Sequence, residues 1–85
     1  MNKIAWQVIK WEHDGRTNED AEHIILLSNP VQFNDLFNVV RELYGDETAS
    51  ELTNGTTLHK IKNYMCFEYS GTLQPLIEFK RIGQA

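Results

Sequence analysis

The residues from His13 to His23, HDGRTNEDAEH, hold the densest set of chemically capable side chains in the sequence. Two imidazoles bracket the carboxylates of Asp14, Glu19, Asp20 and Glu22. Imidazole nitrogen and carboxylate oxygen both ligate zinc and other divalent ions, so His13 and His23 form a candidate metal pair. Their spacing matches no ligand signature. Nor is this a calcium loop, because Asp14 is not followed by acids or amides at the third and fifth positions before a glycine. Polar residues around Asp14-Gly15 are the ordinary composition of a turn between strands. The segment therefore reads as a charged loop, with no metal or other cofactor assigned.

Thiol chemistry has one candidate pair, Cys66 with His59. The two are seven residues apart, and on one extended strand that parity points them to opposite faces. No neighbouring cation or helix N-terminus lowers the thiol pKa. Glu68 and Glu78 are candidate paired acids for hydrolysis, but beside Lys80 they read as a solvated sheet surface. The sequence has no glycine-rich phosphate loop and no nucleophile elbow. The expectation is a protein that is not an enzyme.

The elements that must position these residues follow from pattern. Lys3 to Glu12, KIAWQVIKWE, is rich in Ile, Val and Trp and reads as a strand. Ile4, Trp6 and Val8 share one face, and Ala5, Ile9 and Trp11 share the other. Both faces are apolar, which predicts a central strand or one with a functional outer face. His23 to Ser28 reads as a second strand, joined to the first by the polar loop.

In NPVQFNDLFNVVRELYG the spacing predicts a helix. Asn29 is placed as N-cap, Pro30 as its first residue and Gln32 as part of a capping box. Phe33, Leu36, Phe37, Val40, Leu43 and Tyr44 form its apolar stripe, and Gly45 is the C-cap. Asp46 to Asn54 reads as a short second helix with Asp46 as cap and Gly55 as stop. Asn54-Gly55 as a hairpin turn is the alternative.

TLHKIKNYMCFEY reads as a third strand and LQPLIEFKRI as a fourth, turning at Ser70-Gly71-Thr72. That turn sets Tyr69 opposite Leu73, Phe67 opposite Pro75 and Met65 opposite Ile77. Because Pro75 has no N–H to donate, the last strand is expected at a sheet edge. The fold class is α+β: residues 1–85 as a single compact domain, with a small antiparallel sheet of about four strands and one amphipathic helix on one face. The order is β-β-α-(short α)-β-β.

Eighty-five residues with 41% apolar and 24% charged side chains suffice for one core and argue against a disordered chain. Net charge is −4, and most of the negative charge precedes residue 52. From Glu12 to Glu22 there are five acids and one base, from Glu42 to Glu51 four acids and no base, and from His59 onward four bases and two acids. That balance disfavours nucleic acid as the main partner, because phosphate binding requires a basic face. A helix-turn-helix over residues 33–53 fails as a DNA reader because its second helix, DETASEL, carries three acids and no base. One cysteine precludes an intramolecular disulfide and fits a reducing compartment. No apolar run has the length of a signal peptide or a membrane span, so the expectation is a cytoplasmic protein with no membrane partner.

Three readings follow. In the first, the protein is a small acidic binding or inhibitor protein that docks on the basic surface of a protein partner. Trp6, Trp11, Glu12, Asp14, Glu19, Asp20 and Glu22 form its face, with one of the two tryptophans exposed. Size, acidity and the lack of catalytic motifs are similar to those of immunity, anti-restriction and anti-CRISPR proteins. That resemblance is one of composition only and carries over no residues. It implies an inhibitor of a nucleic-acid-processing enzyme, of the kind encoded by phages or mobile elements. In the second reading, a single-stranded nucleic-acid module uses Lys60, Lys62, Tyr64, Lys80 and Arg81. The third is a metal-binding protein built on His13 and His23. An edge strand pairing with its own copy would make a homodimer.

Overall fold

The computed structural model describes residues 2–12, 14–17 and 22–84. The chain forms β1 (Lys3–Lys10), β2 (Glu22–Ser28), α1 (Phe33–Tyr44), α2 (Asp46–Asn54), β3 (Thr56–Ile61), β4 (Tyr64–Tyr69) and β5 (Pro75–Gln84). The five strands make one antiparallel sheet in the order β2-β1-β5-β4-β3. Both helices lie on one face of it. The architecture is α+β as expected, with one more strand, and the short second helix spans Asp46–Asn54 as expected.

The additional strand comes from TLHKIKNYMCFEY, which is two strands and not one. The chain reverses at Lys62-Asn63, so that Ile61 faces Tyr64 and Leu58 faces Phe67. Alternation continues across the reversal, and no glycine marks it, so the segment has the pattern of a single long strand. A second correction concerns β5, which lies between β1 and β4 and not at an edge. Pro75 is compatible with this because it is the first residue of the strand. It faces Glu68 across a register shift, and the ladder resumes at Ile77 opposite Phe67.

The same shift moves the expected hairpin register by two residues. Met65 faces Phe79, and Phe67 faces Ile77. The connection spans Ser70 to Gln74, closed by the Tyr69 N–H donating to the Gln74 carbonyl at 3.0 Å. A slip of two preserves parity, so Met65, Phe67, Ile77 and Phe79 still share the core face. Leu73, expected opposite Tyr69, is 89% exposed in the loop.

The α1 stripe packs as its spacing dictates. Leu36 and Val40 are buried against Val8, Met65, Phe67, Ile77 and Phe79, and Phe33 meets Phe67 edge to face at 6.1 Å. Removing this apolar surface from water, at ~25 cal/mol per Å2, is the main stabilising term. The helix begins at Phe33, later than the expected start at Pro30. The Asn29 N–H still donates to the Asn2 carbonyl at 3.2 Å, so this residue belongs to the sheet edge. Gln32 is the N-cap, and its N–H donates to the Asp35 carboxylate at 3.0 Å. The Asn29–Pro30 peptide is cis. Gly45 then ends α1 and begins α2 at φ 97°, a left-handed conformation that favours glycine. Asp46, expected as the cap of α2, is its first residue.

Candidate functional site

Because both helices lie on one face of the sheet, no described helix covers the other. Register places on it Ala5, Gln7 and Ile9 of β1, Ile24 and Leu26 of β2, Glu78 and Lys80 of β5, Tyr64, Cys66 and Glu68 of β4, and His59 of β3. Glu78 lies at the centre of this face between Ile9 and Cys66, and is only 8% exposed. Trp11 Nε1 donates to Glu78 Oε1, and the Tyr64 hydroxyl donates to Oε2. One carboxylate thus ties the exit of β1 to β4 across β5. A buried carboxyl group requires hydrogen-bond partners, and here two aromatic side chains supply them.

The surroundings of Glu78 fix their own protonation. Burial pushes the Cys66 thiol from its ordinary 9.0 up to about 11. The charges of Glu78 and Glu68 add to that shift, while the hydrogen bond with Tyr64 works against it. Burial, followed by donation to Glu78, also raises the Tyr64 hydroxyl. At neutral pH the thiol is therefore a thiol and not a thiolate nucleophile. His59 and Cys66 are directly opposite one another, because the chain reverses between them. Their parity thus gives one shared face and not the opposite faces expected of a single strand. His59 Nε2 lies 2.8 Å from Glu68 Oε1 rather than serving the thiol. Glu78 and Glu68, read from sequence as two solvated acids, are a buried acceptor and the partner of His59 in a partly exposed contact.

At the end of the sheet where β1 exits, a concavity of about 220 Å3 opens between β1 and α2. Trp11, Tyr69 and Leu76 line it together with Thr48, the carboxylates of Glu12, Glu47 and Glu51, and one base, Lys10. Tyr69 donates to Glu51 at 3.1 Å, and Lys10 lies 3.4 Å from Glu12. Burial, then the Glu51 charge, pushes the Tyr69 hydroxyl up to about 12. The cleft brings Glu12, at the end of β1, together with Glu47 and Glu51 of α2. An aromatic and aliphatic wall with carboxylates at its rim suits the stem and charged head of a lysine or arginine.

The residues expected to bind a protein partner are distributed unevenly. Trp6 is buried in the core on the helix side, with its Nε1 lacking a hydrogen-bond partner, and forms no surface. Trp11 is half-buried and engaged by Glu78, and Glu12 is at the cleft. Asp14 is bound by Arg16, whose Nε donates at 2.7 Å and whose guanidinium holds the Asp14 carboxyl below its ordinary range. Glu22 is exposed at the start of β2. Glu19 and Asp20 lie outside the described residues. Glu47 and Glu51 were absent from the expected set, because only the packing of α2 brings them to the end of β1.

The alternative sites fare differently. His13 lies outside the described residues, and the His23 ring packs edge to face on Tyr44 at 5.6 Å, on the helix side of the sheet. Among the described residues, no group of three or more His, Cys, Asp or Glu side chains is placed to hold a metal ion. The basic residues collect at the β3–β4 turn, where the Arg81 N–H donates to the Asn63 carbonyl at 3.0 Å. They do not share a face. Lys80 and Tyr64 are on the open side, whereas Lys60 faces Met65 and Arg81 faces Trp6 on the helix side.

The fold and site together define a small α+β protein with a helix-covered face, an open face and an acidic cleft at one end. No family model matches the chain, and no curated protein or solved structure shows significant similarity to it. Among the described residues no helix is long and apolar enough to cross a membrane.

Proposed function

We propose that the protein is a small non-enzymatic binding protein, of the inhibitor type, that docks through its acidic end on a basic surface of a protein partner. The observation that carries this reading is the convergence of Glu12, Glu47 and Glu51 around one cleft with an aromatic wall. A basic side chain entering it exchanges water for carboxylate oxygens and ring faces. The carboxylate at the centre of the open face points the same way. Both oxygens of Glu78 accept hydrogen bonds, and the one from Trp11 holds the indole in the wall of the cleft. A nucleic-acid-processing enzyme, with its basic channel, is the kind of target this chemistry fits.

Affinity capture with the intact protein tests the proposal, comparing wild type with Glu12→Lys/Glu47→Lys. Both substituted side chains are exposed, so the fold is retained. A basic partner held by wild type at low salt, released at high salt and not held by the variant supports the reading. Capture indifferent to both salt and charge reversal refutes it.

A further inference from the structure

We propose that β2 is a self-pairing edge, through which two copies of this chain join their sheets into one ten-stranded antiparallel sheet about a two-fold axis at Ile25.

The two edges of the sheet differ. β3 carries His59 and Lys60 and runs into Lys62, charges that oppose strand addition. β2, EHIILLS, has Glu22 as its only acid and contains no lysine, proline or bulge. Its open-face side chains are apolar, with Ile24 72% exposed and Leu26 52% exposed. An apolar edge without such devices is a template for the addition of another strand.

The direction of the β2 backbone groups sets the register. The Asn29 N–H donates to the Asn2 carbonyl, so the odd-numbered residues of β2 turn toward β1. The N–H and C=O groups of Glu22, Ile24, Leu26 and Ser28 then turn outward, where no described strand pairs with them. A two-fold through Ile25 sets Ile24 opposite Leu26 of the second copy and Glu22 opposite Ser28. All four outward residues find a hydrogen-bonding partner, and no like charges meet. The other in-phase axes do worse. An axis at Leu26 brings Glu22 opposite Pro30, and one at Ile24 runs Ser28 past the start of the strand. With the axis at Ile25, the two Ile24 and two Leu26 side chains form one apolar cluster on the open face.

The contact closes at two because it is isologous. Seven residues of strand make a small interface beside the ~1,600 Å2 of a standard one, so the dimer should be concentration-dependent.

Sedimentation of the intact protein over a range of concentrations reads the outcome. Wild type should pass from one to two chain masses. Ile24→Lys/Leu26→Lys sets lysine against lysine across the axis and should raise the dissociation constant at least about tenfold. Ile24→Lys/Leu26→Glu sets lysine against glutamate and should restore the dimer. Circular dichroism confirms that each variant is folded, and Ile25→Cys should cross-link to its copy under mild oxidation. Monomer at every concentration, species larger than two chains, or a dimer indifferent to the lysine pair would each overturn the proposal.

Discussion

Glu78 is the residue whose environment departs most from what its neighbours in sequence imply. In LIEFKR it alternates with Ile77 and Phe79, and alternation puts it on the solvent side. That much was legible. Its burial was not, because it depends on which strand lies beside which. Trp11 is 67 residues away, and reaches Glu78 only because β5 lies between β1 and β4. Replacing Glu78 with Ala leaves the Trp11 and Tyr64 donors without their acceptor. It should cost about 2–3 kcal/mol in urea unfolding, whereas Glu68→Ala, which loses a partly exposed pair with His59, should cost under about 1 kcal/mol. Equal losses would contradict the assigned roles. Alkaline pH probes the buried thiol and partly buried hydroxyls on both faces of the sheet. Cys66 is raised from 9.0 to about 11, and Tyr44 and Tyr69 from 10.0 to about 12. Each group binds its proton more tightly when folded, so its stabilising contribution is full below the unfolded pKa and is lost as pH rises through the folded value. Stability should therefore fall from about pH 9 upward. Cys66→Ala should flatten the part between about 9 and 11, leaving the tyrosine part.

Elements with their own local signal were readable one by one. α1 declares itself by six apolar residues at helical spacing and a terminal glycine, and only its first turn shifts, because Asn29 remains bonded to the sheet edge. β1 declares itself by two apolar faces, which an inner strand requires. The β3–β4 hairpin has no such signal. Lys62-Asn63 is a weak turn pair, and a strand that alternates through it cannot be distinguished from two strands that reverse there. Reading it as one strand removes an element and separates His59 from Cys66, while the edge expected for β5 comes from Pro75, which the structure places at the first position of the strand. Gly45 offers an element-scale prediction. At φ 97° and with open space around a Cβ, Gly45→Ala meets only backbone strain and should cost about 1–2 kcal/mol. Gly55 ends α2 at φ −137°, so Gly55→Ala should be close to neutral by thermal unfolding. Similar losses at the two glycines would show that the joint between α1 and α2 is not held by the left-handed turn.

At the scale of the whole molecule, charge is separated along the sheet. Carboxylates gather where β1 exits and α2 packs, while Lys60, Lys62, Lys80 and Arg81 collect at the opposite end, around the β3–β4 turn. The separation is partly visible as acidic runs in the first 51 residues, but only the fold brings residues 12, 47 and 51 to one cleft. For the partner proposed above, such a field speeds encounter more than it strengthens the final complex. The rate of association with a captured partner, followed by stopped flow as ionic strength is raised, is the most direct measure of that claim. The acidic-end account predicts an association rate that falls steeply with salt, and that is already slow at low salt for Glu12→Lys/Glu47→Lys. A rate unchanged by salt and by charge reversal would contradict it.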